Sequence, residues 1–578
     1  MNALRIFSRT TILILYLRVL GSLLTLLILL PTPAAKAQGV VEKWVQRYNG
    51  PAGPGNNYDS ATAVAVDGAG NVVVTGSSYG SYDDYYTAKY AATDGALMWE
   101  KRYVRLSSQD IARAIAVDGL GNVVVTGFSH GDWHTLKYAA VNGALLWEKR
   151  YSGPANAYDD AVAVAVDTFG NVVVTGTSAE DFYTVKYAAA DGALLWEKRY
   201  NGPANGSDWA AAVTVDASDN VVVTGYSLGT STYFDFYTAK YAAADGALLW
   251  EKRYNGPANS DDFASAMAVD GFGNVVVTGS SRSYFGDRDF YTVKYAAADG
   301  APLWESRKER LNSQDEPSAV AVDGSGNVVV TGSFNGGGYG LISYTARYGT
   351  SDGTLLWEKY NYEESSTSSV AVDTIGNVVV TGTSYYDYYT AKYAASSGAL
   401  LWEKRYNGPG DYQEHMEGRK QLALTPDGGV VVTGTSHSGT DYDYATVKYG
   451  PEFSLIESWR QIHFGTTSNS GNAADLFDFD KDGLVNLIEF AFGLNPTLGS
   501  LLLLPQAQRI GSDFVISFTQ PAGVSGVTYG AEWSTTLSNN PADWSPVGDS
   551  DPSAEGYTFR VPISANERLF MRLKVTSS

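Results

Sequence analysis

The pentapeptide Val-Val-Val-Thr-Gly occurs eight times, ending at Gly76, Gly127, Gly176, Gly225, Gly279, Gly332, Gly382 and Gly434, at intervals of 49 to 54 residues. No other feature restricts the fold as strongly, because self-similarity at a fixed period commits a chain to a solenoid, a propeller or an array. A second marker, Trp in a Leu-Leu-Trp-Glu-Lys-like context, recurs at Trp99, Trp147, Trp196, Trp250, Trp304, Trp357 and Trp402. Trp44, in Val-Glu-Lys-Trp-Val-Gln-Arg-Tyr, is a divergent eighth version.

One copy shows the logic of the unit. Residues 161–167 (AVAVAVD) alternate, 168–171 (TFGN) read as a turn, and 172–176 are β-branched. Residues 183–188 (YTVKYA) alternate again, Asp191-Gly192 mark a second turn, and 193–200 (ALLWEKRY) form a fourth run. Period-2 patterning with β-branched and aromatic residues predicts strands, and the Gly/Asn/Asp clusters predict tight turns. Four strands in about 50 residues predict the blade of a β-propeller; a β-helix has shorter rungs and helical repeats a 3.6 period. The last unit lacks its own Trp strand, and a spare one lies at 41–48, before the first unit. An all-β, eight-bladed propeller over 41–450 is therefore expected, closed by its N-terminal strand as the outermost strand of the last blade.

Residues 321–327 (AVDGSGN), running into Val328 to Gly332, resemble the repeat of bacterial SBBP-type β-propellers, relatives of the NHL-repeat propellers. Val329 stands where that repeat often carries an aromatic residue. Residues 189–196 (AADGALLW) resemble the tryptophan-docking motif of quinoprotein propellers, which implies that the Trp of one blade packs on its neighbour. The adjacent cysteine pair near the cofactor of those enzymes is impossible in a chain without cysteine, so their chemistry is not implied.

In such a blade the first strand is innermost, and the turns joining strands one to two and three to four share one face. The joins 77–86, 226–237 and 280–291 then belong to the opposite face, rich in Tyr, Ser, Gly and Asp, a composition suited to recognition of a glycan or protein. The Asp closing each first strand (Asp67, Asp118, Asp167, Asp270, Asp323, Asp373) brings one carboxylate and one Asn per turn, too few oxygens for calcium. Bonding to its own turn explains it. His130 and His134 lie four residues apart without a third ligand, and read as a solvated loop pair rather than a metal site. No phosphate loop or His-Glu-x-x-His occurs.

The strongest chemical motif follows the repeats. Residues 478–489 (DFDKDGLVNLIE) fill a twelve-residue calcium loop position by position. Asp478, Asp480 and Asp482 offer side-chain oxygens, Gly483 the sharp turn, Leu484 its carbonyl, Asn486 a direct or water-mediated contact, and Glu489 two oxygens. A short exit helix is expected over 487–494, while the entering side, 466–472 (TTSNSGN), is a poor helix. The single loop resembles the isolated EF-hand-like and dockerin-like loops of secreted bacterial proteins, which implies Ca2+ rigidifying the linker at 451–496. Beyond it, 497–578 predicts a small β-sandwich-like module with strands at 514–519, 527–533, 557–563 and 569–575. That segment resembles the C-terminal accessory or surface-attachment modules of exported proteins.

The N-terminus reads as an address. Arg5 and Arg9 precede an apolar run over 11–30, interrupted by Arg18, and Ala35-Lys36-Ala37 offers a small-x-small cleavage site. A signal peptide over 1–37 is expected, with an uncleaved anchor as the alternative; cleavage leaves no membrane span and a secreted or cell-surface protein. The chain carries 62 acidic against 41 basic residues, a net charge of −21, which argues against nucleic acid. The sequence thus points to an exported, non-enzymatic binding or scaffolding propeller with one structural calcium site. The alternatives are a carbohydrate-active propeller enzyme with acids drawn from several blades and a purely structural matrix protein.

Overall fold

A computed structural model describes residues 39–577 apart from 52–57, 106–107, 155–157, 311–312, 336–339, 364, 410–411, 417, 419, 453–454, 501–502, 522–523, 525–526, 537–540, 551–555 and 564–569. The expected signal peptide lies outside the described residues.

The repeats form the predicted blades. In blade 3, Asp159–Val166, Val172–Ser178, Asp181–Tyr187 and Leu194–Tyr200 pair antiparallel in chain order. The second strand is buried on both faces, which is why it reads as continuous Val rather than as an alternation. Its Thr175 hydroxyl lies 2.9 Å from that of Thr184 on the third strand, a polar rung within the core. The marker glycine has a steric reason: a Cβ on Gly76 would lie 2.0 Å from the Ser60 carbonyl oxygen and 2.7 Å from the Tyr444 hydroxyl.

Seven sheets share this order, and the eighth blade completes the ring. Val40–Tyr48 pairs antiparallel with Tyr442–Pro451, Val40 opposite Pro451 and Tyr48 opposite Tyr444. The N-terminal strand thus serves as the fourth strand of the last blade. The inner strand of that blade is broken into Glu414–His415 and Leu422–Leu424, both paired with Val430–His437.

Tryptophans dock each blade on the next. Trp99 is buried against the turn of the following blade, where Gly143 has a positive φ of 63° and a Cβ would meet the indole at 2.8 Å. Its Nε1 donates to the Ala140 carbonyl at 3.1 Å. Trp44 meets Gly95 in the same way across the closure.

Two expectations need correction. The joins at 77–86, 226–237 and 280–291 are mostly strand. Val72–Tyr79 and Asp83–Tyr90 leave only 80–82 as a turn, and the other two hairpins leave 229–233 and 283–287. Residues such as Tyr85, Phe236 and Phe290 are buried between blades and draw the flanking polar residues into the ladder. Past the ring, a helix α1 (Leu455–Phe464) precedes the loop and was not expected, and α2 (Asn486–Ala491) is shorter than the predicted 487–494. Trp459 of α1 rests edge-on against Phe490 of α2, ring centres 5.8 Å apart.

The C-terminal region forms two three-stranded sheets. One joins Gln508–Ile510, Asp513–Phe518 and Tyr557–Pro562; the other joins Ser545–Val547, Val527–Ser534 and Phe570–Ser577. Phe518 and Tyr557 of the first meet Tyr529 of the second at 5.3 and 4.9 Å. Tyr529 also donates its hydroxyl to the Ala491 carbonyl at 2.5 Å, keying α2 to the module.

Candidate binding face and calcium loop

On the short-turn face the repeated Asp is structural. Asp67 accepts hydrogen bonds from the backbone N–H of Ala69 and Asn71 and from the Asn71 amide, and pairs with Lys89 at 2.8 Å. Burial raises its pKa, but the bonds from Lys89 and Asn71 outweigh burial and hold it below the usual carboxylate value. Lys89 also donates to the Ala140 carbonyl that receives Trp99, so one buried ammonium ties turn, strand and next blade together. Asp216 with Lys240 repeats the arrangement. Asp118, Asp167, Asp270 and Asp373 pair with a Lys, and Asp323 with Arg347.

The opposite face holds the channel mouth, where the copies stop resembling one another. The inner-strand residue paired with the residue that follows each marker glycine is Ser60, Ile111, Asp160, Trp209, Phe263, Glu316, Ser366 or His415. Blades 3 to 6 therefore carry an aromatic and charged rim. Tyr226 stands edge-on to Phe263 at 4.9 Å and to Phe234 at 5.4 Å. The Arg288 guanidinium lies over Phe263 at 5.3 Å and reaches Glu316 at 3.5 Å. Two cavities open here: one of 260 Å³ bounded by Arg113, Asp160 and Trp209, and one of 600 Å³ bounded by Phe263, Arg288, Glu316 and Ser366. No single copy signals these residues; only alignment of the eight copies shows a variable position amid constant ones.

Just below the rim, an acid opens most inner strands. Asp262 is fully buried and accepts the Gly256 N–H at 2.5 Å and the Arg282 N–H at 3.3 Å. Burial pushes its pKa up to about 6 despite those bonds, and burial pushes Asp315 to about 6 as well.

The histidine pair is not a solvated loop pair. His130 occupies the hairpin turn with a φ of 54°, whereas His134 lies on the third strand of blade 2 (Asp132–Tyr138), fully buried where other blades carry Tyr86, Tyr183 or Tyr237. Neither ring nitrogen has a hydrogen-bond partner, and burial, then Arg150 and Arg105, lower its pKa to about 3. It is a neutral core residue.

In the acidic loop, ligand atoms of Asp478, Asp480 and Asp482 all lie within 4.8 Å of one another. The loop is folded by its own bonds: the Gly483 N–H donates to Asp478 and the Leu484 N–H to Asp482, with Gly483 at a φ of 96°. Asn486 donates its amide to the carbonyls of Asn472 and Ala474 and keeps an unpartnered Oδ1. Glu489 at the start of α2 is fully buried with both oxygens unpartnered. Burial and then Asp480, Asp482 and Asp478 push its pKa up to about 7. Three gathered carboxylates, with the buried and unsatisfied oxygens of Glu489 and Asn486 in the same loop, fit a hard divalent cation.

The sequence profile of the family described as outer membrane protein assembly factor BamB matches residues 42–239 and 185–347. No curated protein matches the chain. Among solved structures the chain is similar to BamB from Moraxella catarrhalis, at 12% identity over 71% of this chain and 100% of that one, with a TM-score of 0.42. It is similar to a europium-containing methanol dehydrogenase at 11% identity over 71% and 93%, TM-score 0.47. Saccharomyces cerevisiae Sqt1 is similar at 10% identity over 71% and 99%, TM-score 0.49. Among the described residues no helix is long and apolar enough to cross a membrane.

Proposed function

This chain belongs to the family described as outer membrane protein assembly factor BamB, and from that premise we propose that it is an exported, non-enzymatic propeller that holds a protein partner at its channel mouth. The observation that carries this reading is the departure of the mouth from the repeat. Blades alike elsewhere differ at one inner-strand position, and there they place Trp209, Phe263, Asp160 and Glu316 beside Tyr226 and Arg288. Aromatic residues and Arg flanked by polar groups are the composition of binding hot spots. A purely structural ring has no use for such asymmetry. The family premise favours a protein over a glycan, the second partner class that the mouth suits.

The acidic loop supplies the second element. Calcium held by Asp478, Asp480, Asp482, the Leu484 carbonyl, Asn486 and Glu489 neutralises carboxylates that otherwise repel one another, and so orders the link between ring and C-terminal module. A single loop suits a structural role, since sensors pair two. Export follows from the N-terminal address, and the repeat is of the SBBP type.

Peptide display against the purified chain tests the mouth. Selected peptides are expected to lose at least about tenfold in affinity for Trp209→Ala or Phe263→Ala. Undiminished binding by both variants removes the mouth from the reading. A polysaccharide panel followed for both binding and bond cleavage decides the class: cleavage makes the chain an enzyme, and glycan binding without peptide binding makes the partner a sugar.

A further inference from the structure

Outside the channel mouth, the two faces of the ring differ in what they expose. Every exposed tyrosine among the described residues lies on the mouth face, in a turn joining strands two and three or in a link between blades. They run from Tyr58 and Tyr82 at blade 1 through Tyr158, Tyr233 and Tyr284 to Tyr385 at blade 7. The turn tips of the short-turn face expose Leu120, Phe169, Phe272 and Ile375 instead. Exposed side chains that merely pad the ring would be of the same kinds on both faces. Tyrosine offers an apolar ring and a polar tip together, at a low cost in conformational freedom.

At the junction of blades 1 and 2 these turns form a cavity. It holds 500 Å³, within the range of small-molecule pockets, and is bounded by Tyr79, Tyr82, Asp83, Gln109, Phe128 and His130. Tyr82 stands 48% exposed in the 80–82 turn, which its carbonyl closes by accepting the Gly80 N–H at 2.8 Å. On the blade 2 side, His130 and Gly131 make a two-residue turn with φ of 54° and 88°. That turn is pinned twice: the His130 N–H donates to the Gln109 carbonyl at 3.2 Å, and the Gly131 carbonyl accepts the Asp159 N–H at 3.0 Å. The Gln109 amide donates to Asp83 Oδ2 at 2.7 Å and so ties the two blades together. Asp83 Oδ1 and Gln109 Oε1 take no other hydrogen bond among the described residues. Beyond the cavity the aromatic surface continues, since Phe128 meets Tyr158 at 5.2 Å.

A preformed pair of planar acceptors beside aromatic walls suits one chemistry best. A pyranose carries C–H groups on its faces, which pack on aromatic rings, and hydroxyls at its edge, which donate to a carboxylate and an amide oxygen. An apolar peptide side chain would leave Asp83 and Gln109 unmatched. The Asp83 charge, in a chain of net charge −21, disfavours an acidic sugar. We propose that this cavity binds one pyranose unit of a neutral glycan, packed on Tyr82 and Phe128 with its hydroxyls on Asp83 and Gln109, and that the glycan continues over Tyr158. The cavity shares no lining residue with the two mouth cavities, and the proposal does not rest on the protein-partner reading.

An array of neutral gluco-, manno-, galacto- and xylo-oligosaccharides, with polygalacturonate as the acidic control, tests it on the full chain. Calorimetry with the neutral hexasaccharide that binds best then gives affinities. Saturable binding of at least one neutral series is expected, at least about tenfold tighter for the hexasaccharide than for its monosaccharide, and none of polygalacturonate. Tyr82→Ala and Gln109→Ala are each expected to weaken the hexasaccharide at least about tenfold, and Tyr82→Phe to stay within about threefold of the unaltered chain. Trp209→Ala, at the mouth, is expected to leave that affinity unchanged. No saturable binding of any neutral series overturns the proposal, as does polygalacturonate bound as tightly as the neutral series. Unchanged affinity in both Tyr82→Ala and Gln109→Ala overturns it too, and a loss confined to Trp209→Ala places the sugar at the mouth instead. Equal affinities for hexasaccharide and monosaccharide remove Tyr158 from the site.

Discussion

Lys448 in the eighth blade donates to the carbonyl oxygen of Ala92 in the first, 2.8 Å away, carrying across the seam of the ring the bond that Lys186 makes to Ala243 at 3.0 Å within it. The two lysines differ in their acids. Asp167, paired with Lys186 at 2.8 Å, has a side chain 1% exposed; Asp427, paired with Lys448 at 2.8 Å, has one 42% exposed. Closure therefore repeats the interblade lock with a wetter ion pair.

A difference in cost follows. Lys186→Met strands a buried carboxylate and is expected to destabilise by about 3–5 kcal/mol. Lys448→Met leaves Asp427 in reach of water and is expected to cost about 1–2 kcal/mol. Urea unfolding of the two variants measures this, and equal costs would show that the seam is as dry as the interior interfaces.

Asp262 and Asp315 give the ring a pH dependence. Both fold with pKa values near 6, above the unfolded carboxylate value, so the folded state holds more protons between about pH 4 and 6. Their contribution is fully present below the unfolded pKa and is lost as pH rises through 6. Asp262→Asn is expected to flatten that fall by about 1–2 kcal/mol across the window. Chemical denaturation at pH 4.5 and 7 checks it, and an unaltered slope in both Asp262→Asn and Asp315→Asn would place the pH dependence elsewhere.

Calcium is expected to act at a distance from its loop, because Tyr529 of the C-terminal module bonds the Ala491 carbonyl at the end of α2. At a hundredfold excess over its dissociation constant the ion adds about 2.7 kcal/mol to the unit that binds it. Limited proteolysis is expected to show slower cleavage within 497–578 in calcium than in chelator, with the difference abolished in Glu489→Gln. Equal cleavage of the unaltered chain in both conditions would uncouple the loop from the module.

The ring was legible because repetition turns weak local signals into strong ones: Gly192 and Trp196 mean little alone, and with their counterparts they prescribe docking. The mouth was hidden for the same reason. Trp209 and Phe263 read as ordinary strand residues in their own copies, and become distinctive only against Ser60 and Ser366 at the same register. Helix α1 was missed because ten residues rarely hold a helix alone. It is held instead by Trp459 on Phe490 and by the Arg460–Asp475 ion pair, contacts made across 15 residues or more.

Trp196 and Trp209 separate scaffold from surface. Trp196 is 6% exposed, packs on Gly246 of the next blade and donates its Nε1 to the Ala243 carbonyl at 3.3 Å. Its replacement by Ala removes a large buried contact and leaves a cavity between blades, an expected loss of about 3–5 kcal/mol. Trp209 is half-buried at the rim, beside a cavity already open to solvent, so Trp209→Ala is expected to cost less than about 1.5 kcal/mol. Thermal and urea unfolding of the two variants give the comparison. A loss for Trp209→Ala as large as that for Trp196→Ala would make the rim aromatic a packing residue of the ring, and would remove the main reason for placing a partner there.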